Sequence, residues 1–309
     1  MPFTPAHVVA ALPLLRTPLP ADGRRVGAVV GGATGCAVVV VLALTGCASS
    51  ATDTQAAPQA TPEHRTWSPP PSGTRFDYQL SGPYTPPGGV TVVARDRTAQ
   101  PAGLGYDICY VNGFQTQPQD SAAFAAAHPD LVVQTADGPL ADPGWPDELL
   151  FDTSTAAKRA ELSEVVGPWI RGCAESGFDA VEIDNLDSWT RSQEHLTAAD
   201  NTALAEEYVR VAHEAGLAIA QKNTPELSAR LRAAGYDFAV AESCAVYEEC
   251  DAYTDHYPVV LDIEYTDGLG VDRFDEVCRH PDRRTSVVLR DHDLLTPDDD
   301  GYAYQACPA

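Results

Sequence analysis

Hydrophobic positions in the second half of the chain alternate between helical spacing and short unbroken runs. Leu162 and Val166 belong to a series with the spacing of one helix face, and Gly177 ends that series. Residues 178–184 follow as a short apolar run that ends at Asp184, which is typical of a buried strand. The pattern predicts a helix followed by a strand whose last residue is a carboxylate.

The same alternation recurs further along the chain. Thr197 and Asp200 have the spacing of a capping box, which predicts the start of a second helix, and the strand after it ends at Lys222. The Thr-Pro pair at 224–225 predicts the start of a third helix, because threonine is a common N-cap and proline fits the first helical position. The next strand ends at Glu242.

More segments qualify as strands than the eight that a barrel needs, so one or two of them must be edge or loop strands. The candidates are residues 76–80, 90–94, 107–111, 131–133, 149–151, 178–184, 217–221, 236–241, 259–263 and 286–289. Because polar residues repeatedly follow the strands, the pattern predicts a single-domain α/β fold, a (β/α)8 TIM-like barrel with its active site at the carboxyl ends of the strands. A doubly wound open sheet is the alternative.

The N-terminal part of the chain has the pattern of an export signal. An uncharged, mostly apolar run over residues 26–46 follows two arginines and ends directly before Cys47. The sequence Leu-Thr-Gly-Cys at this point resembles the bacterial lipobox, in which the cysteine thiol carries the lipid. We expect residues 1–46 to be a lipoprotein signal peptide and Cys47 to be the lipidation site. A transmembrane anchor is the alternative interpretation of the run.

Residues 47–73 are rich in Ala, Ser, Thr, Gln and Pro, and this composition predicts a flexible tether. Residues 74–309 then form the folded domain, which either interpretation of the apolar run places outside the cytoplasm. The chain has 20 Lys and Arg against 44 Asp and Glu, a formal net charge of −24. Such a charge opposes binding to phosphates, so we expect no nucleic-acid partner and membrane contact only through the lipid anchor.

Six cysteines follow the tether, and an even number outside the cytoplasm predicts disulfides, although six cysteines allow fifteen pairings. The expected pairs are Cys244–Cys250, which would close a short loop, Cys278–Cys307 and Cys109–Cys173. Two buried free thiols would fit the last pair equally well. The spacings match no usual zinc site, so we expect no metal.

Two carboxylates, Asp184 and Glu242, end predicted strands whose other residues are apolar. A charge at the mouth of a barrel is costly unless it is partnered or used in chemistry. Either acid alone could equally be a solvated turn residue, but together they favour a catalytic pair. Glu182 lies one layer deeper on the same strand face as Asp184. Lys222, one of two lysines in the chain, could bind a sugar hydroxyl, hold a carboxylate or be a surface charge.

These segments resemble motifs of the endo-α-1,4-polygalactosaminidases, glycoside hydrolase family 114. The similar segments are residues 182–187, 222–223 and 238–242 with Cys244, Tyr247 and Cys250, together with residues 78–80, 109–110 and 263–265. The resemblance implies a TIM-like barrel with Asp184 and Glu242 as the catalytic pair. We also expect substrate contacts from polar and aromatic residues at the strand ends, which are Gln79, Tyr110, Asn185, Asp187, Lys222, Tyr247 and Glu264.

The chain departs from the family pattern at two positions. Ile183 stands where proline is common, and Ser243 stands where a second acid follows the catalytic glutamate. Neither change removes a proposed catalytic carboxylate. The resemblance implies hydrolysis of an amino-sugar polysaccharide by this catalytic pair. We expect a secreted, monomeric enzyme with Asp184 as nucleophile, Glu242 as general acid/base, a retaining outcome and no cofactor. The alternative is a catalytically silent sugar-binding or envelope lipoprotein on the same barrel.

Overall fold

The computed structural model of the chain describes residues 66–281 and 283–308. The predicted signal peptide, residues 1–46, and the predicted lipidation site, Cys47, lie outside these residues, as does most of the predicted tether. Among the helices of the described part of the chain, none is long and apolar enough to cross a membrane.

The described residues form eleven strands and six α-helices. The strands are β1 (Phe76–Gln79), β2 (Val92–Asp96), β3 (Tyr106–Asn112), β4 (Gln134–Thr135), β5 (Gly138–Pro139), β6 (Ala180–Asp184), β7 (Ala218–Lys222), β8 (Phe238–Glu242), β9 (Val260–Tyr265), β10 (Ser286–Arg290) and β11 (Tyr304–Ala306). The helices are α1 (Ser121–Ala127), α2 (Ala156–Ser176), α3 (Ala198–Glu214), α4 (Ser228–Ala234), α5 (Cys250–Thr254) and α6 (Gly270–Arg279).

Eight parallel strands form the barrel wall, in the order β1, β2, β3, β6, β7, β8, β9 and β10. The order follows the sequence without the reversal that a doubly wound sheet requires. The TIM-like barrel is therefore confirmed. The short β11 pairs antiparallel with the other edge of β10.

Side chains bridge the remaining gap between β10 and β1. Arg290 on β10 donates to the backbone carbonyl of Tyr78, and its Nη1 lies 3.2 Å from Asp77 Oδ1. The Tyr304 hydroxyl on β11 donates to the carbonyl of Phe76 at 2.9 Å. In the described residues no strand ladder joins β1 to β10 or β11, so the barrel is nearly closed. We call this gap the seam.

Two strand candidates from the sequence do not belong to the barrel. Residues 131–133 and 149–151 form isolated bridges, such as Val132 with Phe151, in the long connection between β3 and α2. No helix follows β1 or β2 in the described chain. The connections there, residues 80–91 and 97–105, contain several prolines and glycines, which disfavour helices.

Capping residues place the helices beside the barrel largely as predicted. The Thr197 side chain accepts from the Asp200 backbone N–H in a complete capping box at the start of α3. Gly177 has a left-handed backbone, with φ of 97°, where α2 ends. Thr224 differs from the prediction, because it is itself left-handed and makes no side-chain cap. Pro225 therefore opens a 3-10 turn, and α4 begins three residues later, at Ser228.

The six cysteines of the folded domain form the three expected disulfides. Cys109–Cys173 joins β3 to α2, Cys244–Cys250 closes the loop after β8, and Cys278–Cys307 joins α6 to the segment after β11. One of the three bridges, Cys109–Cys173, therefore connects the barrel wall to an outer helix. Each bridge restricts the unfolded chain.

The twofold alternation of side chains along each strand separates the barrel interior from the helix layer. On β8, Phe238 and Val240 pack inside the barrel, whereas Ala239 and Ala241 pack in the layer shared with the helices. Glu242 is the next residue in this alternation whose side chain points into the barrel. By the same alternation the side chain of Lys222 on β7 points inward.

Candidate active site

Lys222 lies at the centre of a buried charge cluster at the carboxyl ends of β6, β7 and β8. Its Nζ is 3.1 Å from Glu182 Oε1, 3.5 Å from Asp184 Oδ1 and 3.4 Å from Glu242 Oε2. The side chain is 2% exposed. Burial opposes its charge, but Asp184, Glu242 and Glu182 raise the pKa of Lys222 well above the usual value. An ammonium group is therefore held between the two predicted catalytic carboxylates.

Asp184 ends β6 and receives hydrogen bonds on the side away from the lysine. The Tyr110 hydroxyl on β3 donates to Asp184 Oδ2 at 2.6 Å. Burial opposes ionisation, but the Lys222 charge, the Tyr110 hydroxyl and the Asn185 backbone N–H lower the pKa of Asp184 below its usual value. This carboxylate is ionised at neutral pH and is 18% exposed.

Glu242 ends β8 and is held at both carboxylate oxygens. Asn223 Nδ2 donates to Oε2 at 2.8 Å, and the Tyr265 hydroxyl on β9 donates to Oε1. Asn223 Oδ1 in turn accepts from the Glu242 backbone N–H at 2.8 Å. The side chain is 29% exposed, so Glu242 has more solvent contact than Asp184.

Glu182 and Tyr78 lie deeper in the barrel, beneath Asp184 and Glu242. The Tyr78 hydroxyl donates to Glu182 Oε1 at 2.5 Å and accepts from Lys222 Nζ at 3.0 Å. Burial, more than any other cause, raises the pKa of both groups. Both side chains are almost completely buried, so they contact Lys222 from below and orient its ammonium group toward Asp184 and Glu242.

Asp184, Lys222 and Glu242, which end their strands, are each followed by a residue with a left-handed backbone. The φ angles are 62° at Asn185, 48° at Asn223 and 59° at Ser243. Asparagine tolerates this conformation, whereas serine adopts it less readily. The chain therefore turns sharply after each strand, and such conformations are concentrated at functional sites.

A second polar cluster adjoins Asp184 on the side of β3. Asn112 Oδ1 accepts from Asn185 Nδ2 at 3.0 Å, and Asn112 Nδ2 donates to Glu148 Oε2 at 2.9 Å. Arg191 Nη2 donates to Asn185 Oδ1 at 3.1 Å, and its Nη1 lies 2.8 Å from Asp187 Oδ2. Asn185 and Asp187, both predicted substrate contacts, are thus tied together through Arg191.

Two other predicted substrate contacts, Gln79 and Glu264, are not brought to the cluster. Gln79 follows the inward Tyr78, and Glu264 precedes the inward Tyr265, so the strand alternation turns both side chains to the outer face. Gln79 Nε2 donates to Asp77 Oδ2 at 2.8 Å, and Gln79 Oε1 accepts from Arg95 Nε at 2.9 Å. Glu264 Oε1 accepts from the Ala245 backbone N–H at 2.7 Å, beneath the loop after β8. Both side chains are buried.

Tyr110 and Lys222 lie within the cluster, whereas Tyr247 is 58% exposed in the loop after β8. Sequence reasoning did not select Tyr78, Asn112 or Glu148 as site residues. Tyr78 and Asn112 lie at strand positions whose side chains alternate into the barrel, and this alternation could have identified them from the sequence. Glu148 belongs to no strand, so periodicity gave no signal for it.

A group of three residues has ligand-like spacing for a metal in the described chain: Cys244, Cys250 and Asp262. Its two sulfur atoms form a disulfide, so it offers no thiolate.

The TIM-like barrel and the buried charge cluster around Lys222 define a barrel enzyme with two strand-end carboxylates, the arrangement that glycoside hydrolases use. The model of glycoside-hydrolase family GH114 matches residues 56–309, so the chain belongs to that family and is a glycoside hydrolase. A search of curated proteins gave no match.

Two solved structures share the fold. Ega3 from Aspergillus fumigatus, in complex with galactosamine, has a TM-score of 0.62 and 21% identity, covering 79% of this chain and 100% of that chain. The glycoside hydrolase domain of PelA from Pseudomonas aeruginosa has a TM-score of 0.50 and 17% identity, covering 71% of this chain and 95% of that chain.

Proposed function

We propose that this enzyme hydrolyses an α-1,4-linked, galactosamine-containing polysaccharide with Asp184 as nucleophile and Glu242 as general acid/base. The observation that carries the proposal is the placement of both carboxylates against one buried ammonium group, at 3.5 and 3.4 Å from Lys222 Nζ. Glycosidic cleavage requires a carboxylate at one face of the sugar and an acid at the leaving oxygen.

The nucleophile must be ionised before it attacks the anomeric carbon. Asp184 meets this requirement, since the nearby Lys222 charge and the Tyr110 hydroxyl lower its pKa against the effect of burial. In the first step, Asp184 would form a covalent bond to the sugar while the aglycone oxygen leaves. The positive charge that develops on the sugar ring is stabilised by the anionic side chain as it approaches.

Glu242 is suited to the proton transfers because its side chain is longer and more exposed than that of Asp184. It would protonate the leaving oxygen in the first step and accept a proton from water in the second. The two oxygens nearest Lys222 can be no further apart than the sum of 3.5 and 3.4 Å. That limit excludes the wider part of the roughly 6.5–9.5 Å range of inverting enzymes and includes the roughly 5–5.5 Å of retaining ones, so it is compatible with the retaining outcome that we propose.

Charge and fold support an amino-sugar substrate. The chain carries a formal net charge of −24, and a polymer with free amines is a polycation that such a protein attracts. The Ega3 structure with the same fold contains galactosamine. We accordingly place polygalactosamine first among the substrates to be tested, with chitosan and polygalacturonate beside it.

The catalytic assignment is tested with Asp184→Asn and Glu242→Gln. Each change keeps the size of the side chain and removes its charge, so turnover should fall by about 10²–10⁴-fold or more while the thermal unfolding midpoint stays near that of the wild type. Released reducing ends measure turnover. Azide should restore activity to Glu242→Ala, because it replaces water as the nucleophile that resolves the covalent intermediate.

Asp298→Asn, at an exposed position far along the chain, is the matched control and should retain full activity. Near-normal turnover in Asp184→Asn would refute the assignment. A wild-type protein that binds the polymer but releases no reducing ends would instead support the silent sugar-binding lipoprotein. Proton NMR of the first product anomer reports retention or inversion.

A further inference from the structure

Glu148 is an acid beside the strand ends that the proposed mechanism does not use. It lies in the connection between β3 and α2, and it is 9% exposed. Asn112 Nδ2 donates to its Oε2 at 2.9 Å. No residue in the described ranges donates to its Oε1. One oxygen of Glu148 is thus fixed, and the other is available to a ligand.

Asn112 places Glu148 next to the turn that carries the nucleophile. Asn112 pairs with Asp184 in the ladder between β3 and β6. Its side-chain oxygen accepts from Asn185 Nδ2 at 3.0 Å, so Asn112 contacts the residue after Asp184 and Glu148 at the same time. A sugar bound with its reacting carbon at Asp184 would therefore lie close to Glu148.

The chemistry of an amino sugar favours an anion at this position. In galactosamine the amino group is on C2, which is bonded directly to the anomeric carbon that the nucleophile attacks. Whatever binds the ammonium group must therefore lie beside the nucleophile. Charge-assisted hydrogen bonds from an ammonium to a carboxylate are the strongest polar contacts available for this purpose.

The other acids near Asp184 already have cationic partners. Arg191 Nη1 lies 2.8 Å from Asp187 Oδ2, and Arg191 Nε contacts Asp142 Oδ2. Glu182 is bound to Lys222 at 3.1 Å. Glu148 forms no ion pair with a residue that the structure describes, so its charge is available to a substrate.

We propose that Glu148 binds the C2 ammonium group of the galactosamine unit that is cleaved, and that it determines the preference for deacetylated sugar over neutral sugar. This inference rests on the proposed function. Acetylation would remove the positive charge and add bulk at C2, and both changes oppose binding to Glu148.

The charges around Glu148 make this contact depend on pH. Burial raises its pKa to about 7, with Asp184 and Asp142 acting in the same direction and Asn112 and Arg191 in the opposite direction. Tyr110 faces it from β3. Above about pH 7 Glu148 is ionised, so amine binding should strengthen as the pH rises to that value, until the amine itself loses its proton.

The test compares wild-type enzyme with Glu148→Gln. Glutamine retains an oxygen that can accept from Asn112, so the local structure is kept and only the charge is lost. Dissociation constants for galactosamine and for galactose are measured by ligand-observed NMR titration at about pH 7 and at a series of lower pH values. The variant should bind galactosamine about 10–100-fold more weakly while its affinity for galactose is unchanged. It should also lose the rise in galactosamine affinity up to about pH 7.

The neighbouring exposed acid supplies the control, and Asp147→Asn should bind both sugars as the wild type does. Equal losses for both sugars, or no loss for either, would overturn the role of Glu148. Because binding is measured without turnover, this result is separate from that of the reducing-end assay. Failure of the wild type to cleave polygalactosamine would count against the proposed function, whereas unchanged sugar preference in Glu148→Gln would count against this inference.

Discussion

Lys222 is a cation that three acids share, and it has little exposure to solvent. A buried cation is costly to desolvate, and the surrounding carboxylates offset that cost because they would otherwise repel each other. Its contacts with Asp184 and Glu242 also fix where these two side chains lie relative to one another. The lysine is thus suited to be a positioning residue and an electrostatic partner for Asp184, the proposed nucleophile.

Lys222→Met should shift the pH dependence of the reaction as well as its rate. The ammonium lowers the pKa of Asp184, so removing it should raise that pKa and move the acidic limb of kcat/KM to higher pH. Unpairing the buried acids should also destabilise the fold by about 3–5 kcal/mol. Lys158→Met, at the other lysine of the chain, should leave the pH profile unchanged. An unmoved acidic limb in a folded Lys222→Met enzyme would contradict this account.

The alternation of side chains between the two faces of a strand explains which of the predicted site residues lie in the cluster and which do not. The predicted strands end at Lys222 and Glu242, and both side chains lie on the inner face of the barrel. Gln79 and Glu264 were included with neighbouring motif residues, but each is one position away from the inward tyrosine of its strand. The contacts of Glu148 come from a long loop, whose path no periodic pattern specifies.

At the scale of elements, the loop after β8 is held from below by two acids on the outer face of β9. Asp262 Oδ1 accepts from the Cys244 N–H at 3.3 Å, and Glu264 Oε1 accepts from the Ala245 N–H. Asp262 Oδ2 and Glu264 Oε2 have no hydrogen-bond partner among the described residues. The turn that follows Glu242 therefore depends on a buried pair of acids as well as on the nearby disulfide.

This acid pair should make stability fall as the pH rises above the ordinary carboxyl pKa. Burial and the proximity of the two groups raise the pKa of Asp262, and burial raises that of Glu264. A folded-state pKa above the unfolded value gives stability that is present at low pH and is lost as the pH rises through the folded value. Asp262→Asn should therefore reduce the loss in the free energy of unfolding as the pH rises, measured by urea titration across pH, whereas Asp298→Asn should not. An unchanged pH slope in Asp262→Asn would refute this prediction.

The elements themselves were predicted unevenly. Capping and periodicity located α2, α3 and the strands β6 to β8, because each has strong local signals. Residues 131–133 and 149–151 have the composition of strands but pair only through isolated bridges, since tertiary contacts decide which apolar runs join a sheet. The missing helices after β1 and β2 follow from prolines and glycines that the barrel pattern alone does not take into account.

At the scale of the whole molecule, export and anchoring remain predictions from sequence, since Cys47 lies outside the described residues. The three disulfides of the folded domain are consistent with an oxidising compartment. Single-chain action is likewise a proposal, which the sedimentation velocity of the purified domain would test.

Lipidation is tested by mass spectrometry of the native membrane fraction, which should find the mature chain starting at an acylated Cys47. Cys47→Ala should abolish the acylated form, because no thiol is left to carry the lipid. Cys36→Ala, within the predicted signal peptide, is the control and should leave acylation intact. A mature protein that retains residues 26–46 would contradict the prediction and favour a transmembrane anchor.

The seam between β10 and β1 gives the barrel one line along its wall where side chains replace a backbone ladder. Breathing of the barrel should concentrate there, because rotating a few side chains requires less free energy than breaking a row of backbone hydrogen bonds. At least two strands separate β6, β7 and β8 from the seam on either side. Thermal opening can thus occur on one side of the molecule while the carboxylates on the opposite wall keep their spacing.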